Sequence, residues 1–501
     1  MQHNLLIKKI GNPLNPTPWV ILFLMTHLLA WTLVPALVRY NLPLDAIEGT
    51  VWGHQLELGY DKNPMLNGWL TALATYGSTT GWGVYLFSQL SVVACFWVVW
   101  RLAKSMLPSV YALIAVMLLE GIQYYNFHAI DFNDNTLELG LWALTIYYFY
   151  QALRKPNHVN WLLTGLFAGL GMMAKYYTVA LLAALALFLL IDKTNRQQLK
   201  SVYPYTGLGA FVLILLPHTI WLFYHDFITV TYVFERASST PKWTNHFFFP
   251  AQFAWQQLQA FLPAIILYAL LFIGKKPLAV TPQTNLSRFD KQFLFYAGPG
   301  PFLLTMLLSL VTGIKLRAGW GMPLLSLWGI ILVASIQPRL SIKKITVFLT
   351  LIFTLITLLL LGYDLSLVNS PDPSTANFPG KFIAAKMTED WHNEFNTKLE
   401  YVAGSRWVSG NIEFYSKDHP AVFIEWDKKR APWINMDDMK KKGAVFVWNI
   451  TEKESLPREI RIKFPTLKPS RIMTFDWQRN YYHLAPVKIG VAILPPCKSS
   501  L

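Results

Sequence analysis

Cysteine is nearly absent: Cys95 and Cys497 are the only two in 501 residues. One falls inside an apolar run and the other near the C-terminus, which excludes a disulfide framework and a cysteine-built metal centre. Charge is scarce too, at 14% of residues against 53% hydrophobic, well below the charged share of an ordinary globular chain. There is no internal repeat or low-complexity tract, which counts against an inverted-repeat transporter. A removable leader is not expected either, since the first apolar run is too long for one and lacks a small-residue cleavage site.

Long apolar runs, by contrast, are plentiful. Eleven approach the roughly 20 residues that cross a bilayer: about 18–38, 81–100, 109–124, 137–153, 160–174, 177–191, 204–224, 252–273, 292–313, 319–336 and 345–363. The expected fold class is a polytopic α-helical membrane protein of about 11 transmembrane helices. The two runs joined at "AKYY" also fit one helical hairpin or a broken helix. The net charge of +15 would suit nucleic acid, but its distribution excludes that partner. With a cytoplasmic N-terminus, the inner segments hold 16 basic residues, among them Lys8, Lys9, Arg101, Lys104, Lys275 and Lys276, against Asp192 and Asp290. The outer segments carry Arg39, Lys62, Lys175, Arg236, Lys242, Lys315 and Arg317 among more numerous acids, as the positive-inside rule requires. The expectation is a multi-pass protein of the cell inner membrane, in contact with membrane lipids, with its C-terminal region in the periplasm.

Residues 1–363 read as the membrane unit, with outer loops at 39–80, 125–136 and 225–251, and 364–501 as a water-facing domain. After Tyr363 comes "NSPDPSTANFPG", a linker by composition, and 20 of the 43 basic residues follow it. The runs "EYVAG", "AVFIEW", "GAVFVWNI" and "VKIGVAIL" predict strands, and "INMDDMKKK" before Gly443 predicts a helix. That rhythm predicts a small α/β domain with a partly parallel sheet. It holds no catalytic motif, so acceptor handling or support is its expected role.

Chemistry is expected in the outer loops. From Pro43, Asp45, Glu48, Trp52 and Gln55 share one helical face while Ile47, Val51 and Leu58 form an apolar stripe, the pattern of a short helix lying on the membrane surface. "YDKNP" adds Asp61 and Lys62, and "MLNGWLTALATY" is short enough for a re-entrant segment. The second loop, "YYNFHAIDFNDN", contributes His128, Asp131 and Asp134. Lys175, Lys315 and Arg317 are basic residues on the side where topology disfavours them, and the third loop offers His225, Asp226, Glu235 and Arg236. For any single one of these, a solvated loop charge or a local ion pair is the simpler reading; their convergence from several loops shifts the balance. A carboxylate can take the proton of a hydroxyl while Lys or Arg neutralises a phosphate-linked leaving group. A divalent Mg²⁺ or Mn²⁺ held by Asp45 and Asp134 would serve the same end.

In their order, these features resemble the GT-C superfamily of membrane glycosyltransferases, and within it the bacterial protein O-mannosyltransferase-like family that includes the lipid A aminoarabinose transferase. The stretches "LDAIEGTVWGHQLELGYDKNP", "FNDNTLELGLWALT", "GLFAGLGMMAKYYTVALL" and "YHDFITVTYVFERAS" carry the resemblance, and "YVAGSRWVSGNIEFYSKDHPAVFIEW" extends it into the tail. The resemblance implies transfer of a sugar from a polyprenyl-phosphate carrier to a hydroxyl of an extracytoplasmic acceptor (lipid A, glycan or protein) with inversion. It matches the first-loop acid to Asp45, with Glu48 second, and the second-loop acid to Asp131 or Asp134, with "FNDN" favouring Asp134. It matches the acidic-Lys-Pro-Pro motif to Asp61 and Lys62, with Asn63 in place of the first proline, and gives Lys175 to the donor. The alternative is a transporter or flippase of a lipid-linked sugar, which predicts ionisable groups at mid-span; these runs are almost free of charge at their centres.

Overall fold

The structure, a computed structural model, describes residues 15–238, 240, 242–273, 286–450, 455–456, 458–479 and 482–497. Lys8, Lys9, Lys275 and Lys276 of the inner basic set lie outside the described residues. Apart from short helical turns, fifteen helices form the first part: α1 Pro16–Val38, α2 Leu44–Gln55, α3 Leu66–Thr75, α4 Gly83–Met106, α5 Ser109–Met117, α6 Asp134–Arg154, α7 His158–Ala174, α8 Thr178–Ile191, α9 Tyr203–Tyr224, α10 Ile228–Ala237, α11 Asn245–Ala269, α12 Arg288–Ala297, α13 Pro299–Thr312, α14 Trp328–Ser335 and α15 Ile342–Val368. Among the described residues, five helices are long and apolar enough to cross a membrane, or up to nine when each bent pair counts as one span. Each of the eleven expected runs falls on a helix or a bent pair. The two outside the nine are α6, which begins with Asp134 and Glu138, and α7, which has 17 residues.

Local chemistry starts several of these helices. Asn15 caps α1 through Thr17 N–H, Ser341 caps α15, and Asn133 and Thr136 close a reciprocal capping box at α6. The stretch after α5 bends by 80° into short turns ending at Ile130. A buried polar cluster holds that bend. His27 of α1 lies 2.6 Å from Glu120 and 3.0 Å from Gln89, and Trp31 donates to the other Glu120 oxygen at 3.2 Å. Ser88 and Gln89 both donate to the Ala129 carbonyl. The expectation of nearly charge-free spans therefore has an exception: His27 and Glu120 are fully buried, and their mutual pairing is what makes that burial tolerable.

Past Val368 the chain does not become a loose tether. Its 3-10 turn Thr375–Asn377 packs inward, and the buried Ala376 offers its carbonyl to the N–H groups of Tyr40 and Asn41 at 3.0 Å. Helices α16 Gly380–Phe395, α17 Arg406–Tyr415, α18 Met436–Lys442 and α19 Arg458–Lys463 then accompany five strands, β1 Tyr401–Gly404, β2 Ala421–Ile424, β3 Ala444–Asn449, β4 Arg471–Phe475 and β5 Val487–Leu494. The sheet order is β2-β1-β3-β5-β4, with β1 parallel to β2 and β3, and β5 antiparallel to β3 and β4. The mixed sheet matches the strand rhythm of the sequence. Strand β4 escaped that reading because its burial is broken and shallow, as suits an edge.

The sheet-bearing region sits directly on the segment between α1 and α4 through α17. A Cβ on Gly410 would stand 2.8 Å from Ile47 Cγ2 and 3.0 Å from Val51 Cγ2. The apolar stripe of α2 therefore faces α17, not the lipid, which corrects the membrane-surface helix expected from periodicity. Its other neighbour is α3, reached at equally close range: a Cβ on Gly53 would meet the Gly68 carbonyl at 2.6 Å. Helix α3 is a ten-residue partner of α2 in a tight helical hairpin.

Candidate active site

No side chain of its own caps α2, which starts after Pro43. The second loop supplies the cap: Asp131 accepts the N–H groups of Ala46 at 3.1 Å and Asp45 at 3.3 Å. Burial and the nearby Asp45 push its carboxyl well above the usual carboxylate range, opposed by those two N–H groups and by Arg39. Asp131 thus fixes the helix that bears Asp45 and Glu48, and its oxygens are spent in doing so.

Asp45 accepts a 2.9 Å hydrogen bond from the amide of Asn133. Burial, then Glu48, then Asp134 raise its carboxyl to about 6; the Asn133 bond and Lys62 pull the other way. Glu48, one helical turn on, is 8% exposed. One of its oxygens, Oε1, takes both Lys62 Nζ at 2.6 Å and Arg406 Nη1 at 3.1 Å. The other terminal nitrogen of Arg406 pairs with Asp61, which burial raises and Arg406 lowers. Lys62 also lies over the Tyr232 ring, 5.9 Å from its centroid.

The turn that presents Asp61 and Lys62 is closed by Tyr60 N–H donating to the Asn63 carbonyl at 3.0 Å, beside a bridge between Gly59 and Pro64. Asn63 therefore leaves the turn intact, because the contact uses a carbonyl that proline also has. Tyr60 stacks on Trp52 with ring centroids 5.2 Å apart, and its carbonyl accepts from Thr229 of α10 at 2.8 Å. On the far side of Asp45, Lys175 pairs with Asp134 at 3.0 Å and also bonds Asn135.

Two lysine–carboxylate pairs therefore flank one carboxyl. Glu48, Asp61 and Asp134 each hold a cation, and Asp131 holds two backbone donors. Among the described residues, Asp45 has no cation within ion-pair distance; its one hydrogen bond comes from a neutral amide. That separates Asp45 from Glu48, which sequence spacing left as near equals.

The remaining expected residues do not join this set. Asp226 is exposed and faces Lys429 at 4.0 Å. His128 is exposed with its ring edge-on to Tyr124. Lys315 is exposed, and the buried Nε of Arg317 has no hydrogen-bond partner among the described residues. Their loop does abut the Lys175 turn, since the Trp320 ring lies 5.8 Å from that of Tyr177. Sequence reasoning missed Arg406, Asn133 and Asn135. Asn133 was legible as a helix cap in "FNDN", but nothing in "GSRW" marks Arg406 as reaching residues 345 positions away.

A cavity of about 390 Å³ opens beside the turn, lined by Asp61, Tyr232 and Glu235 on one wall and Asp427, Lys429 and Arg430 on the other. The residues proposed for a divalent ion fit one poorly: Asp134 is paired with Lys175, and the described residues include no group of three His, Cys, Asp or Glu suited to hold a metal.

Residues 62–221 match the family described as dolichyl-phosphate-mannose-protein mannosyltransferase. Lipopolysaccharide core galacturonosyltransferase RgtA of Rhizobium johnstonii is 25% identical over 187 residues, which is 36% of this chain and 37% of the relative. Undecaprenyl phosphate-alpha-4-amino-4-deoxy-L-arabinose arabinosyl transferase 1 of Sodalis glossinidius is 26% identical over 243 residues, 45% of this chain and 40% of the relative. The match thus spans about two fifths of the length of these curated relatives. The crystal structure of ArnT from Cupriavidus metallidurans bound to undecaprenyl phosphate superposes with a TM-score of 0.61 at 13% identity, over 95% of this chain and 98% of that one. Both parts of the present fold, helical and sheet-bearing, lie within that shared architecture.

Proposed function

We propose, from the GT-C membrane glycosyltransferase fold that this chain has, that it moves a sugar from a polyprenyl-phosphate carrier to a hydroxyl of an acceptor on the outer side of the cell inner membrane. The observation that carries the reading is the Asp45 carboxyl, which among the described outer-loop acids Asp45, Glu48, Asp61, Asp131 and Asp134 is the one held by neither a cation nor a backbone N–H, and which lies near the Lys62–Glu48 and Lys175–Asp134 pairs. The names of the relatives, which include an undecaprenyl-phosphate arabinosyl transferase, support the same donor class.

Lys62 and Lys175 neutralise the donor phosphate, with Arg317 and Lys315 on the adjoining loop as further phosphate contacts. Asp45 takes the proton of the acceptor hydroxyl as its oxygen attacks the anomeric carbon from the opposite face. The anomeric C–O bond breaks and the polyprenyl phosphate leaves with its electron pair, so the configuration inverts. A phosphate diester becomes a phosphate monoester, a leaving group that needs little protonation. Residues 1–363 form the catalytic membrane unit in this reading, with a cytoplasmic N-terminus and the 364–501 domain outside. The acceptor is a hydroxyl of lipid A, another envelope glycan or a protein.

The test supplies membranes containing the full chain with a radiolabelled undecaprenyl-phosphate sugar and follows label in envelope lipids, glycans and proteins. Asp45→Asn and Lys62→Ala should each lower transfer by at least about 100-fold. Undiminished transfer by both variants sinks the assignment.

A further inference from the structure

Among the described residues, the Arg406 guanidinium is the cation of the sheet-bearing region that forms ion pairs with the site carboxylates. It stands on the first turn of α17, straight after β1. Ser405 caps this helix by accepting the Val408 N–H, so the arginine projects from an ordered turn. Three contacts hold α17 on the first loop: Gly410 against Ile47 and Val51, Tyr415 Oη accepting the Leu42 N–H at 3.0 Å, and Glu413 at 3.3 Å from His54 Nδ1. The side chain of Arg406 is 14% exposed. Its two terminal nitrogens bind two different carboxylates, and one of these, Glu48, also binds Lys62 through the same oxygen.

That sharing has an electrostatic consequence. Lys62 and Arg406 carry two positive charges and Glu48 and Asp61 two negative ones, so the cluster is neutral. Remove the arginine and Lys62 sits between two buried carboxylates with a net charge of −1. An anionic phosphate would then approach a negative site, and the lysine that should meet it would be held more tightly by Glu48.

We propose that Arg406 is a positioning residue through which the C-terminal domain keeps Lys62 available to the donor phosphate: it holds Glu48 and Asp61 and cancels the charge they would otherwise impose on that lysine. The inference rests on the glycosyltransferase reading above and goes beyond it, because it makes donor binding depend on the docked domain. For a phosphate monoanion taken at a separation of about 8 Å, with an effective dielectric constant of about 20, one lost positive charge weakens binding on the order of thirty-fold.

The experiment measures binding of undecaprenyl phosphate to the purified full chain in lipid nanodiscs, for wild type, Arg406→Met, Arg406→Lys and Arg406→Met with Asp61→Asn. Thermal unfolding is followed for each. Arg406→Met should weaken binding at least about tenfold. Arg406→Lys should recover part of the loss, and the double variant, neutral again, should return to within about threefold of wild type. Wild-type binding by Arg406→Met overturns the inference. So does a folded double variant that stays as weak as Arg406→Met, since that outcome assigns Arg406 to domain docking alone. Absence of binding by wild type overturns the donor reading itself and is told apart by being independent of position 406.

Discussion

Asn133 gives direct control over the charge state of Asp45. Its amide donates to Asp45 at 2.9 Å while its carbonyl oxygen caps α6 by accepting Thr136 N–H at 3.1 Å. Asn133→Ser separates these roles: serine is as good an N-cap but is too short to reach Asp45. Loss of one neutral hydrogen bond, about 1 kcal/mol, raises a carboxyl by about 0.7 pH units. The Asp45 carboxyl, at about 6 in the wild type, then titrates higher by about that much. The acidic limb of kcat/KM follows, because that ratio reports the free enzyme. At pH 6 the ionised fraction falls from about one half to about one sixth, a threefold loss of rate that vanishes above pH 8. The assay is initial-rate transfer of label from an undecaprenyl-phosphate sugar in proteoliposomes between pH 5 and 9. Asp134→Asn removes a like charge and should move the limb down. An acidic limb fixed near pH 6 in Asn133→Ser refutes Asp45 as the base. The same carboxyl makes a stability prediction of definite sign. Raised from 3.8 to about 6 on folding, it binds more protons folded than unfolded across that window. Stability therefore falls as pH rises from about 4 to 6, by up to about 3 kcal/mol. Asp45→Asn should lack this component, which paired thermal unfolding curves at pH 4 and pH 7 would show.

Asp131→Ala removes the cap that the second loop supplies to α2, and should cost about 1–2 kcal/mol with a large fall in kcat, because Asp45 and Glu48 ride on that helix; thermal unfolding and transfer rate check the two parts. Gly410→Val places a side chain where a Cβ already stands 2.8 Å from Ile47 Cγ2, so it should destabilise by about 1–3 kcal/mol and weaken the seating of α17. Limited proteolysis between residues 369 and 380 would reveal that loosening, and unchanged cleavage would contradict it.

Much of the architecture was legible because it is written in short-range chemistry. Apolar runs mark the helices, "FNDN" marks the α6 cap, and the strand rhythm marks the mixed sheet. The helix from Leu44 to Gln55 was also readable from Pro43 and the spacing of Ile47 and Val51. What covers its apolar stripe was not, because periodicity records only that a face is to be buried, not by what.

A multi-pass chain with carboxylates and lysines gathered in the segments between its apolar runs could be read from the residues alone, since burial preference, capping and charge asymmetry act over a few residues or over whole runs. Which of these acids keeps its carboxyl clear of both cations and backbone donors follows from the folded contacts. Asp131 became a cap for a helix some 85 residues earlier, Glu48 and Asp61 were taken by an arginine from the far end of the chain, and Asp134 was taken by Lys175. A carboxylate's chemistry is set by what lies within about 4–6 Å of it, and in a folded chain those neighbours come from segments whose separation in sequence carries no sign of their meeting.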